Sequence, residues 1–427
     1  MGARPSGAVT DEAIAAAVAA ESEWMQDVLT RLVAAPTTLG NEEPGQVVME
    51  SAFRDLGLTP YDIALDAEAI RADPHSSPFS WDVAGKRNVL ATWEAGGEGG
   101  RSLILNGHVD VVPPAAEALW TTPPFEPAVR DGWLYGRGAA DMKAGLVAMT
   151  GALRGLMALD LAPRAPVHLQ SVVEEECTGN GALMCVLQGP SADACVLTEP
   201  HPDHITFAQV GVVWVHVDIR GAPAHAARAS ALGFNAIDAA TTVTQALREL
   251  EAELNADPPA PYDAFEHPIN LNPGVIRGGD WPSTVAAECT VSYRLALYPG
   301  EDPHALRARI EDAVGRAAAA DPFLSEHPPV VRYDGFTCEG FALPLDEPVA
   351  LTLSAAYARL VGVPAPLLAT TATTDARHFV RSGIPAVCFG PHGEEIHGID
   401  ERVSLASMVH TAQVLATFVR DWCGVTS

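Results

Sequence analysis

Two imidazoles and a set of carboxylates stand out because each closes a short apolar run. Asn106-Gly107-His108-Val109-Asp110 ends the β-rich stretch that begins at Leu103. The two-residue period of a strand puts His108 and Asp110 on one face, where a carboxylate can orient an imidazole or its neighbours. Gly136-Arg137-Gly138-Ala139-Ala140-Asp141-Met142-Lys143 is a glycine-loosened loop that presents Asp141 just before a helical pattern, a place that equally suits a helix N-cap. Glu174-Glu175-Glu176 closes another strand. Neighbouring strand residues face opposite ways, so Glu175 and Glu176 share one site only where the chain bends, which Gly179-Asn180-Gly181 permits. Glu199 follows a further apolar run and precedes Pro200, and His397 lies in Ile396-His397-Gly398-Ile399-Asp400-Glu401. Taken singly, each reads as an ordinary loop polar group, and three adjacent acids usually mark a solvated edge. Most of the 14 histidines, His75, His304 and His410 among them, read that way too.

Jointly the segments supply a dinuclear metal inventory, with a further carboxylate beside one ligand. If Asp141 bridges two divalent ions, His108 and Glu199 complete one site and Glu176 and His397 the other. Three ligand carboxylates then face four positive charges, and a bridging hydroxide brings the centre to neutrality. Such a pair lowers the pKa of water towards about 7, and at a separation of about 3.5–4 Å it clamps the attacking and the attacked oxygen. Mixed N/O ligation fits zinc, with cobalt or manganese as alternatives, better than calcium.

The elements that must position these groups follow an α/β alternation. Strands are predicted at Leu103 to Val112, Val167 to Val173 and Ala194 to Thr198, with a helix from about Lys143 to Leu159 between the first two. From about Gly211 the texture changes. A strand over Val212 to Ile219, a helix over Asn235 to Leu254, strands at 270 to 276 and 285 to 298 and a helix over Ala305 to Ala319 suit two helices on a small antiparallel sheet. After about Gly335 the α/β pattern returns, with helices near 348 to 360 and 405 to 422 around a strand at Ala386 to Phe389. The expected fold is a discontinuous α/β domain, 1–211 with 335–427, interrupted by an α+β domain at 212–334.

Composition narrows the function. The 427 residues carry 26 basic and 54 acidic side chains, a net charge of −28, which repels polyanions and argues against nucleic-acid and anionic-membrane partners. No apolar run reaches the roughly 18 residues of a membrane span, and the alanine-rich start, bounded by Glu12 and Glu21, reads as a helix and not as a signal peptide. Seven dispersed cysteines with no CxxC pair suit small core residues in a reducing, cytoplasmic setting. No G-x-S-x-G, HExxH, Walker or G-x-G-x-x-G segment is present.

The sequence resembles the M20 metallopeptidase and deacylase family, which includes acetylornithine deacetylase, succinyl-diaminopimelate desuccinylase, aminoacylase and glutamate carboxypeptidase. Gly107-His108-Val109-Asp110-Val111-Val112-Pro113 is similar to the family's first metal motif, Tyr135-Gly136-Arg137-Gly138 through Asp141, Lys143 and Gly145 to its second, and Glu175-Glu176 with Gly179 and Gly181 to its paired-glutamate motif. Glu174 stands where the family commonly has Asp, a departure expected to do little damage. The resemblance implies a zinc-exopeptidase-like mixed sheet with helices on both faces and an inserted lid and dimerisation domain. It implies Asp141 as bridging ligand, His108 and Glu199 on one metal, Glu176 and His397 on the other, Glu175 as general base and acid, and Asp110 supporting the ligands. Gly221-Ala222-Pro223-Ala224-His225-Ala226 resembles the lid segment whose histidine reaches a partner subunit's site and stabilises the oxyanion. Asn272, Arg294, Thr373 and Arg377 would bind a substrate carboxylate, a task for which the guanidinium fork is suited. A surface ion pair is the competing reading of Arg294.

The implied activity is hydrolysis of the amide of a small N-acyl amino acid or related compound by a homodimeric enzyme holding two divalent ions. A dipeptidase or carboxypeptidase is the nearest alternative, and a non-catalytic metal-binding homologue a remote one.

Overall fold

The computed structural model describes residues 9–426. A nine-stranded sheet dominates the larger part. At its centre Val167–Val172, Leu103–His108, Cys195–Leu197 and Ala386–Cys388 run parallel, and all four are buried throughout. Such strands read as continuous apolar runs because helices cover both faces. Antiparallel Arg87–Trp93 and Tyr61–Ala64 extend one edge, and Ile205–Gln209 extends the other. This is the mixed sheet expected from the sequence.

The helix Ala144–Met157 shows how packing brings the site together. Its sequence AGLVAMTGALRGLM has no polar face, so it must be buried on every side, and only Arg154 and Met157 escape. It is wedged between the sheet and the helix Leu405–Cys423. A Cβ on Gly145 would collide with the main-chain oxygen of Thr198, so glycine lets the first helical turn press on the residue preceding Glu199.

A second core is built from residues between Val210 and Leu324. Its antiparallel sheet runs Leu271–Gly278, Glu288–Leu297, Gly211–Arg220, Val330–Arg332, with Thr337–Cys338 also on Gly211–Arg220. Val213, Val215, Val217 and Ile219 alternate inward along Gly211–Arg220, and the helices Ala236–Leu254 and Pro303–Ala319 cover that face. The chain returns to the large sheet at Phe341–Ala342, which pairs with Ile205–Gln209. A third, four-stranded sheet, Gly393–Glu394, Arg402–Ser404, Trp133–Tyr135 and Ala128–Arg130, was not foreseen and matters most for the site.

Candidate metal centre

The large sheet contributes residues from the carboxyl ends of its parallel strands, where open α/β sheets place their ligands. The strand Leu103–His108 ends at His108, so Asp110 lies beyond the ladder and not two places along it, as strand periodicity had suggested. Hydrogen bonds unite the two instead. His108 Nδ1 donates to the main-chain oxygen of Asp110 at 2.8 Å. The Asp110 carboxylate accepts the amides of Glu175 at 3.2 Å and Glu176 at 3.0 Å, which fixes the bend that turns consecutive glutamates towards one site.

Glu174 corrects the reading of these acids as a solvated edge. Its backbone is left-handed, with φ of 64°, and its side chain is fully buried. Its carboxylate accepts from Trp81 Nε1 at 2.8 Å, Lys86 Nζ at 2.7 Å and the Thr178 hydroxyl at 3.0 Å. Lys86 also donates to Glu42 at 2.7 Å, so this third glutamate anchors the bend from behind.

The small sheet supplies the opposite wall. The loop leaving Trp133–Tyr135 carries Asp141, and the loop between Gly393–Glu394 and Arg402–Ser404 carries His397. Asp141 is not a helix cap: the helix begins at Ala144, Lys143 occupies the cap position, and Asp141 has extended dihedrals of −110° and 102°. Sequence reasoning gave no role to Glu401, which organises this wall. Its Oε1 accepts the amides of Ala140 at 2.9 Å and Asp141 at 3.0 Å, and its Oε2 accepts the Gly138 amide at 2.9 Å and Arg137 Nη1 at 2.6 Å. Both Glu401 and Arg137 are buried. An acid and a base inside otherwise apolar or glycine-rich loops were the available signal.

These walls bring the five expected ligands into two triangles. His108, Asp141 and Glu199 offer atoms within 4.8 Å of one another, and so do Asp141, Glu176 and His397. Asp141 Oδ1 is 3.2 Å from His108 Nε2, and its Oδ2 is 3.4 Å from His397 Nε2, the divided arrangement of a bridging carboxylate. Glu199 reaches His108 at 3.9 Å, and Glu176 reaches His397 at 3.1 Å. Glu175 Oε2 is 3.8 Å from His108 Nε2 yet belongs to neither triangle. The His108 side chain is 1% exposed and that of His397 50%, so the cluster opens to solvent on the His397 side.

Since Nδ1 of His108 donates to a carbonyl, Nε2 of the neutral ring turns a lone pair towards the oxygens of Asp141, Glu175 and Glu199. Lone pairs gathered in this way need a proton or a cation among them. Burial disfavours the charged imidazole, yet Asp141, Asp110, Glu175 and Glu199 outweigh it and hold His108 well above its usual range. Burial, opposed by His108 and reinforced by Asp375, Glu199 and Glu176, pushes Glu175 well above the ordinary carboxylate range. Glu199 is raised for similar reasons, burial first. Asp141 goes the other way: burial would raise it, but hydrogen bonds with His108 and His397 hold it low. A set of two imidazoles and three carboxylates without thiolate suits two divalent ions.

The remaining candidates lie outside the cluster. His225 is exposed, its Nδ1 accepts the Ala227 amide at 3.1 Å, and it makes no hydrogen bond or ion pair to the cluster of its own chain. Asn272 and Arg294 are cross-strand partners, and Arg294 Nη2 reaches the Thr371 carbonyl at 3.4 Å. Thr373 donates to the Val210 carbonyl at 2.8 Å. Arg377 is buried and donates to the carbonyls of Thr374 at 2.6 Å and Thr178 at 2.9 Å. Asp375, which sequence reasoning passed over, is buried with neither oxygen hydrogen-bonded, and burial lifts it to about 6.

Fold and site together define a class: an α/β protein whose candidate centre would share one carboxylate between two cations at the carboxyl ends of a mixed sheet. Comparison with known proteins makes this specific. A sequence model described as Peptidase family M20/M25/M40 matches residues 104–421, and the chain belongs to this family of hydrolases of amide bonds. It is 31% identical over 365 residues to the N-formyl-4-amino-5-aminomethyl-2-methylpyrimidine deformylase of Halalkalibacterium halodurans, covering 80% of this chain and 84% of that one. It is 30% identical over 349 residues to the succinyl-diaminopimelate desuccinylase of Paracoccus denitrificans, covering 78% and 86%. Among solved structures, the dipeptidase Dug1p of Saccharomyces cerevisiae superposes with a TM-score of 0.81 at 13% identity, covering 97% of this chain and 98% of that one, a likeness of fold. Among the described residues, no helix is long and apolar enough to cross a membrane.

Proposed function

We propose that the protein is a dinuclear-metal-dependent deacylase that hydrolyses the amide of a small N-acyl compound, with zinc in the two sites. The observation that carries this reading is Asp141, whose two oxygens face different histidines, with the non-ligand Glu175 beside them. The names of the sequence relatives, a deformylase and a desuccinylase at 30–31% identity, favour acyl-group removal over peptide cleavage.

Bound cations would polarise the scissile carbonyl and acidify water. His108 and Glu199 would hold one, Glu176 and His397 the other, and Asp141 both, while Asp110 and Glu401 fix the backbone that aims them. Glu175, with Oε1 buried and lacking a hydrogen-bond partner, takes the proton of the attacking water and returns it to the leaving nitrogen. Its raised pKa suits a group that must both accept and donate. Among the described residues no carboxylate lies within 4.0 Å of Arg294, and burial lowers its pKa, so with its neighbour Asn272 it is well placed for a substrate carboxylate. We assign Thr373 and Arg377 to shaping the same cleft, since their donors are held by backbone carbonyls.

His225 would stabilise the oxyanion from a second copy. Support for that dimer comes from the inserted domain, residues 212–334. Its edge strand Leu271–Gly278 leaves Val275 and Ile276 46% and 61% exposed, an unprotected apolar edge that a second copy would cover. Seven buried free thiols agree with a cytoplasmic location.

The test is a release assay of the metal-loaded protein on N-formyl, N-acetyl and N-succinyl amino acids, the formylated aminomethylpyrimidine of its relatives, and dipeptides. Turnover of an N-acyl substrate supports the deacylase. Turnover confined to dipeptides replaces it with a peptidase.

A further inference from the structure

A cavity of about 750 Å³ lies between the two domains, and none of the six cluster residues lines it. Its walls come from the segments Arg71–Phe79 and Arg377–Arg381 beside the large sheet, from Pro303–Arg307 of the inserted domain and from Thr337–Phe341, the segment by which the chain returns to the large sheet. In a chain of net charge −28, this cavity gathers Arg71, Arg307, Arg377 and Arg381 against one lining carboxylate, Glu339.

Arg377 lies 3.6 Å from the Asp375 carboxylate, but the other three arginines are poorly compensated. Among the described residues no carboxylate lies within 4.0 Å of Arg71, Arg307 or Arg381, although the chain has twice as many acids as bases. Arg71 rests on the Phe79 ring at 4.4 Å and Arg307 on Tyr333 at 4.3 Å, contacts that leave the guanidinium edges open. Arg307 also donates to the Thr337 hydroxyl. The Nε atoms of Arg307 and Arg377 and Nε2 of His378 are buried without a hydrogen-bond partner, and Arg377 and His378 are only 6% and 4% exposed. Burial lowers the pKa of Arg381, and the more distant Glu339 and Asp73 oppose it only in part. Buried donors left unpaired cost free energy, and convergent arginines are the usual means of binding doubly charged oxyanions.

We propose that this cavity is a binding site for a small multivalent oxyanion, a phosphate ester or polycarboxylate, held between the two domains by Arg71, Arg307 and Arg381 with Arg377 and His378 behind them. The volume is in the range of small-molecule sites and exceeds what inorganic phosphate fills, leaving room for an organic part against Phe79 and Phe341. Arg377 also holds the Thr178 carbonyl, two residues past Glu176, so the site is joined by one side chain to the turn that follows the paired glutamates.

The test is calorimetric titration of the metal-loaded protein with inorganic phosphate, glycerol 3-phosphate and citrate at matched ionic strength, with thermal melting in parallel. The wild type should bind at least one of them saturably below about 1 mM and melt higher as the ligand rises. The double variant R71S/R381S should bind at least tenfold more weakly while keeping its turnover. R307Q, altering the other domain's wall, should weaken binding likewise and provides the answer if the double variant fails to fold. Preference for citrate or for the phosphates assigns the ligand class. Absence of saturable binding, or binding equally tight in the folded variants because the anion sits on the metal centre, overturns the proposal. The readout is binding, so it stands or falls apart from the deacylase reading.

Discussion

The amide of Asp141 donates to Glu401 Oε1 at 3.0 Å, across 260 residues of sequence. This contact ties the loop that carries Asp141, the proposed bridging carboxylate, to the one that carries His397. Three further donors converge on the same carboxylate, so the wall is held from behind by a group that touches no proposed ligand side chain.

Replacing Glu401 by Gln should loosen both triangles, because one oxygen that accepts two donors becomes a donor itself. We expect a loss of about 10–100-fold in metal affinity, the usual effect of removing a group that orients ligands. Competition with a fluorescent chelator measures it. Unchanged affinity would remove Glu401 from this role.

Glu175→Gln should keep both metals and lose about 10²–10⁴-fold in kcat. The pH profile adds a sharper test. A base is active when deprotonated, so activity falls as pH falls through the pKa of Glu175, which burial raises and Asp375 raises further. Asp375→Asn removes a negative neighbour, lowers that pKa and should shift the acid limb of kcat/KM to lower pH. A limb that stays in place would separate Asp375 from the base.

Lys86→Met should destabilise the fold by about 3–5 kcal/mol, because it leaves Glu174 and Glu42 buried without their counter-charge. Chemical denaturation checks this. The turn carrying Glu175 and Glu176 should become protease-sensitive in the same variant.

Ile276→Arg places charge on the exposed edge strand and should convert the proposed dimer to monomer in sedimentation. If His225 acts across the interface, this variant and His225→Ala should each slow turnover without loss of metal. A fully active monomer would return His225 to its local role as acceptor for the Ala227 amide.

Part of the candidate site was legible in the sequence because His108 and Glu199 lie at the ends of apolar strands, and apolar runs read plainly. Leu103–His108 and Cys195–Leu197 placed His108 and Glu199 correctly at one end of a sheet. What the pattern obscured lies in short elements. Trp133–Tyr135 and Arg402–Ser404 are three residues each, too brief for periodicity to reveal, yet their pairing positions Asp141 and His397. Glu174 looked solvated because its partners, Trp81 and Lys86, lie some 90 residues away, a distance that local reasoning does not span. Of the four cavity arginines the sequence singled out Arg377 alone, for a substrate carboxylate; Arg71, Arg307 and Arg381 were invisible for the same reason, since they come together only in the folded chain.

The account rests on two cations sharing Asp141. Anomalous diffraction from crystals of the zinc-loaded protein tests it most directly. It should show two peaks about 3.5–4 Å apart, both in contact with Asp141, one also with His108 and Glu199 and the other with Glu176 and His397. A single peak at full loading, or two peaks that do not share Asp141, would contradict it.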